Sequence, residues 1–130
     1  AGILNVLRQV QAELGLSALY ISHDLTLVRY LCQRTVVMYL GVFVEEGPTA
    51  QLIRQPLHPY TRALLQAVPS TRIDQSHAPI PIVGGVPDAL KPPTGCRFRD
   101  RCPQANARCA EEVPVLRDLG AGRHVACHQV

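Results

Sequence analysis

Tryptophan is absent from these 130 residues, methionine occurs once and phenylalanine twice. With so few stacking rings and a net charge of only +3, the chain is not expected to bind nucleic acid. No apolar run reaches the roughly 20 residues that a bilayer-spanning helix needs. No basic-then-apolar leader opens the chain. There is no G-x-x-x-x-G-K-S/T loop to cradle phosphates with backbone amides, and no apolar strand ending in Asp-Glu. No Ser/His/Asp or Cys/His set has a plausible nucleophilic arrangement, and no acid pair suits glycosidic or proteolytic chemistry. No internal repeat occurs. What remains is 47% apolar and 18% charged, a balance that can bury a core.

The cysteines divide the chain. Cys32 stands alone, whereas Cys96, Cys102, Cys109 and Cys127 fall in the last 35 residues. An odd count without a leader points to a reducing compartment. Residues 70–95 hold Pro79, Pro81, Pro87, Pro92 and Pro93 and read as an irregular lead-in. The expected division is residues 1–70, rich in regular structure, and residues 71–130, loop-rich and thiol-bearing.

In the first part, Ile3, Leu7, Val10 and Leu14 recur at helical spacing, with Gly15 as the stop. Residues 18–21 are an apolar run fit for a buried strand. Leu25, Val28 and Leu31 mark a short helix, which Asp24 can start. Residues 35–40 form a second strand, Gly41 turns it and residues 42–47 return as a hairpin. Thr49 can cap a helix ending near Arg54. His58-Pro59 opens another, with Pro59 at the first helical position and Tyr60, Ala63, Leu64, Ala67 and Val68 as its stripe. This order predicts an α/β layer with a largely parallel sheet.

His23 then sits at the carboxyl end of a strand, where ligands bind in open α/β sheets. It could donate to a phosphate oxygen or an attacking water, or it could fill a polar corner. Ser22-His23-Asp24-Leu25 after Leu19-Tyr20-Ile21 resembles the switch-histidine motif of ABC transporter ATPases. Residues 36–48 resemble the strand pair that follows it. His58-Pro59-Tyr60-Thr61-Arg62-Ala63-Leu64-Leu65 is similar to the signature of dipeptide/oligopeptide and nickel importer ATPases. Gly85-Val86-Pro87, Gly95-Cys96-Arg97-Phe98 and Arg101-Cys102-Pro103 resemble the C-terminal extension of that subfamily.

The resemblance implies the C-terminal part of a P-loop NTPase (ABC ATPase) core, residues 1–70, followed by an irregular Cys-rich extension, residues 71–130. It implies that His23 contacts the γ-phosphate of ATP and helps hold the attacking water. ATP and Mg2+ would bind only the intact subunit, because the phosphate loop, magnesium strand and signature loop lie upstream in family members. This piece alone is expected to be inactive. Its lost neighbours would leave a bare sheet edge, which favours a non-native homodimer. The implied partners are a second ATPase subunit (same or related), transmembrane permease subunits and, indirectly, an external peptide-binding protein. The implied location is the cytoplasmic face of the cell membrane.

The four clustered thiols follow C-x5-C-x6-C-x17-C. Zinc sites usually show a C-x2-4-C pair, and this chain has none. The wider steps suit a larger core than one zinc ion. Disulfides, free thiols, and zinc with His124 or His128 replacing a cysteine are the alternatives. The resemblance implies a 4Fe-4S cluster held by Cys96, Cys102, Cys109 and Cys127. Arg97, Arg99, Arg101 and Arg108 could offset its charge and donate to its sulfurs, or form a solvated basic face. Cys32 reads as a packed thiol, His58 as a cap, Glu45-Glu46 as a solvated turn, and His77 carries no signal. The alternative to an importer ATPase is a stand-alone iron-sulfur or zinc-binding regulatory or interaction module.

Overall fold

A computed structural model describes residues 2–67, 81–85 and 87–130. Helix α1 (Gly2–Leu14) ends where Gly15 takes a positive φ of 62°, as its position after the last apolar residue predicts. Helix α2 (Leu25–Leu31) starts at Asp24, whose carboxylate accepts from the amides of Thr26 at 2.8 Å and Leu27 at 3.3 Å. Strands β1 (Arg34–Tyr39) and β2 (Val42–Pro48) form the hairpin. Helix α3 (Thr49–Arg54) follows directly. Thr49 is its first residue rather than its cap. The Thr49 hydroxyl meets that of Thr35 at 2.8 Å, and its amide donates to the Gln33 carbonyl at 2.9 Å. Helix α4 (Pro59–Gln66) opens as expected, with Pro59 just inside and the His58 ring capping.

The tail contributes a 3-10 turn (Arg99–Arg101), helix α5 (Ala107–Glu111) and strands β3 (Arg117–Asp118) and β4 (His124–Val125). The sheet order is β1-β2-β4-β3, and every pairing is antiparallel. The expected parallel sheet is therefore not formed among the described residues. Residues 18–21 make no strand. Leu19 and Ile21 are 88% and 93% exposed. A strand needs a ladder partner, and none stands beside this run among the described residues. The third strand comes instead from the tail: β4 pairs with β2 through Val125 opposite Glu45 and His124 opposite Glu46.

Alternation along β1 turns Val37 and Tyr39 inward, where they pack with Val44, Leu52 and Phe98. Val28 and Leu31 are buried as the α2 spacing predicts. The α4 face is broader than the expected stripe. Thr61, Ala63 and Leu65 are buried, Tyr60 and Leu64 half-buried, Ala67 exposed, and Val68 lies outside the described residues. The α1 stripe is helical but open, and no α1 residue is buried. It touches α2 through the Tyr30 hydroxyl on Asn5 and the Arg8 guanidinium 4.9 Å from the Tyr30 ring.

Candidate functional site: an exposed histidine and a docked thiol tail

His23 is exposed, just before the α2 cap, and lines an open groove of about 1240 Å³. Its neighbours there include Ile21, Val36, Met38 and Phe43. The cap made by Asp24 fixes the backbone next to it, while the imidazole itself makes no hydrogen bond among the described residues. It is therefore free to donate to an incoming anion.

All five cysteines are free thiols. Cys109 and Cys127 are buried, Cys96 and Cys102 half-buried. Gly95 sets this arrangement. Its φ is 66°, and a Cβ there would lie 2.4 Å from the Cys109 carbonyl oxygen and 2.7 Å from that of Ala110. Only glycine allows both the turn and the approach. The Cys96 amide then donates to the Cys109 carbonyl at 2.8 Å.

Burial pushes the thiols of Cys96, Cys102 and Cys127 up, and neighbouring thiols of the same set push in the same direction. Backbone amides oppose this: those of Phe98 and Arg99 at Cys96, Gln104 at Cys102, and Gln129 and Val130 at Cys127. The Gln129 amide lies 3.4 Å from the Cys127 sulfur. The thiols thus act on one another and receive backbone N–H groups. Four sulfurs on one zinc would stand about 3.8 Å apart, from a Zn–S bond near 2.3 Å. Among the described residues, no three His, Cys, Asp or Glu side chains form such a single-ion site. Neither histidine offered as a replacement ligand is given to the thiols. His128 bonds the Glu112 carbonyl at 3.0 Å, and His124 faces Glu46 at 3.8 Å.

Arg97, Arg99 and Arg108 have partners other than the sulfurs. Arg97 donates to the Leu40 carbonyl. Arg99 holds the carbonyls of Thr94 at 2.7 Å and Ala110 at 3.0 Å. Arg108 pairs with Glu112 at 2.8 Å. Arg97 and Arg99 thus staple loops, because irregular backbone leaves carbonyls that need donors, while Arg108 forms a solvated surface pair. Arg62 of α4 is the cation whose field lowers the Cys127 pKa.

Two features escaped the sequence reading. Phe98, 1% exposed, stands among Tyr39, Tyr60 and His58 at ring distances of 5.1, 5.5 and 5.7 Å. Glu45, read as a solvated turn residue, is fully buried in β2. The cause is a bulge. Val37 faces Glu45 and Met38 faces Phe43, so Val44 is extra and both Val44 and Glu45 turn inward. Cys32 is half-buried at the end of α2, with its pKa raised by burial, in line with a packed thiol.

The family described as oligopeptide/dipeptide transporter, C-terminal region, matches residues 44–109, half of the chain. The chain belongs to this family. The matched segment runs from β2 through the Phe98 contacts to Cys109 and leaves His23 and Cys127 outside. A peptide import ATP-binding protein of Brucella ovis is 46% identical over 127 residues, covering 98% of this chain and 40% of that protein. An oligopeptide transport ATP-binding protein of Bacillus subtilis is 42% identical over 130 residues, with the same coverage. A di/tripeptide transport ATP-binding protein of Pseudomonas aeruginosa is 46% identical over 128 residues, covering 98% and 39%. The chain thus spans about 40% of the length of these family relatives. Nothing in these likenesses favours a stand-alone metal module.

His58 gives the family segment a testable pH response. Burial first, and the Arg62 charge second, lower its pKa from 6.5 to about 4. Its Nδ1 accepts from the Tyr60 amide at 3.1 Å, which requires the neutral ring. The folded state therefore binds the proton less well than the unfolded chain. The stability is complete above pH 6.5 and is lost as the pH falls through the window down to 4. Between pH 7 and pH 5 the loss from this group is about 2 kcal/mol. Urea titrations of the wild type and His58→Asn should show that difference only in the wild type.

Proposed function

We propose that the chain is the C-terminal part of the ATP-hydrolysing subunit that powers peptide import across the cytoplasmic membrane. The observation that carries this is identity of 42–46% over 98% of the chain with peptide import ATP-binding proteins. In this reading the intact subunit takes ATP and Mg2+, and His23 donates to the terminal phosphate, where a positioned donor stabilises developing charge. The exposed imidazole on an open groove supports that role. The subunit works against a second ATPase subunit and against permease subunits fed by an external peptide-binding protein. Among the described residues no helix is long and apolar enough to cross a membrane. In this reading the subunit meets the membrane through those permeases.

The proposed division is an ATPase portion, residues 1–70, and the extension, residues 71–130. Cys96, Cys102, Cys109 and Cys127 would hold a 4Fe-4S cluster. Mutual proximity of the thiols and the amides at three of their sulfurs support this assignment. Such a group would supply folding energy to a segment with little core of its own. Two measurements test the proposal. The intact subunit should release phosphate from Mg-ATP, whereas this chain alone should show no micromolar Mg-ATP binding by calorimetry. Anaerobically purified protein should carry iron and sulfide and lose both in Cys96→Ser. Colourless protein with stoichiometric zinc would overturn the cluster and leave the transporter assignment standing.

A further inference from the structure

We infer that Glu45 is the hub of an internal latch through which the cysteine-rich tail sets the position of α4. The Glu45 carboxylate has three protein donors. Its Oε1 accepts from the Leu57 amide at 2.9 Å and from Arg123 Nη2 at 3.0 Å, and its Oε2 accepts from the His58 amide at 2.9 Å. Arg123 Nη2 also donates to the Gln55 carbonyl at 2.6 Å. One guanidinium from the tail thus grips both the carboxylate and the segment that leads into α4. Residues 57 and 58 are the last before that helix, and His58 is its cap.

The tail supplies the only side-chain cation in this set. A buried carboxylate that loses its cation is strongly destabilised, because its charge is left uncompensated in the interior. Two amides would remain, and both belong to residues 57 and 58. Relief then requires the carboxylate to reach water, and the groups that move with it are those two amides. Release of the tail is therefore felt at the start of α4. The converse also holds, since Arg123 is seated by groups on either side of that loop. Arg123 has no slack, because its stem lies over Gly47, where an added Cβ would come within 3.3 Å of its Cγ. It also lies one residue from β4, whose continuation bonds the Ala126 amide to the Val44 carbonyl at 2.9 Å. Tail, β2 and α4 therefore move as a unit, and a disturbance at the thiol end reaches a helix far away in sequence. This holds whatever the thiols carry.

Hydrogen exchange on the full chain tests the latch. In Arg123→Met the amides of Leu57 and His58 and those along α4 should exchange at least tenfold faster, together with Ala126, while α2 stays within twofold. If Ala126 accelerates tenfold and residues 57–66 stay within twofold, the tail leaves without moving α4 and the inference fails. If Arg123→Met unfolds everything, Arg123→Lys carries the test, with residues 57 and 58 accelerating ahead of α2 if the latch exists and no faster than α2 if it does not. Glu45→Gln reads the latch from its other end. Faster exchange at Ala126 supports the coupling, and an unchanged Ala126 overturns it.

Discussion

Phe98→Ala is expected to lower unfolding stability by about 3–5 kcal/mol, the range for deleting a buried aromatic ring. The site cannot collapse easily. Three rings from two elements face Phe98: Tyr39 from β1, and Tyr60 and the His58 cap from α4. The Tyr39 contact is edge-on at 87°, an arrangement favoured by the ring quadrupoles. In a domain of this size the loss corresponds to a fall of roughly 10–20 °C in Tm. The same variant should free Cys96, two residues away, so alkylation of that thiol should accelerate in step. A loss below about 1.5 kcal/mol would mean that the ring does not anchor the tail.

His23→Ala, made in the intact subunit, is expected to reduce kcat for ATP hydrolysis by about 10²–10³-fold, the usual effect of removing one donor to developing charge. KM for ATP should change little if the contact strengthens only as the phosphoryl group transfers. Stability should not change, because the imidazole is exposed and makes no hydrogen bond among the described residues. Single-turnover phosphate release from wild type and variant separates the alternatives. A loss under threefold would return His23 to a surface residue beside a cap.

Local chemistry was readable wherever it depends on near neighbours. Gly15, Asp24, Gly41 and the His58-Pro59 start all stand where the sequence puts them, because caps and turns are decided within a few residues. The β1/β2 hairpin was readable, but the rest of the sheet was not. Residues 18–21 have the composition of a buried strand, yet pairing depends on a partner strand, and none stands beside them among the described residues. Glu45 was misread for a related reason. A bulge leaves no mark in apolar alternation, and the compensating Arg123 lies 78 residues downstream. At the thiols, the spacing pointed to a shared centre, and among the described residues no three of these side chains form a group that holds a metal ion. Of the nearby arginines, Arg97 and Arg99 spend donors on loop carbonyls, a demand set by irregular backbone that the sequence does not display. Gly95 was noticed only as part of a motif. Its positive φ and the carbonyls pressed against it are tertiary facts.

The distance between Glu45 and Arg123 has a bearing on how the chain is made. A ribosome adding about 5–20 residues each second needs roughly 4 to 16 seconds to travel from one to the other. Throughout that interval the acid of β2 has no counter-ion, and the hairpin lacks its third strand. The nascent core must wait for residues 123–125, so a translation product that stops short of them would be a target for proteolysis rather than a smaller working piece.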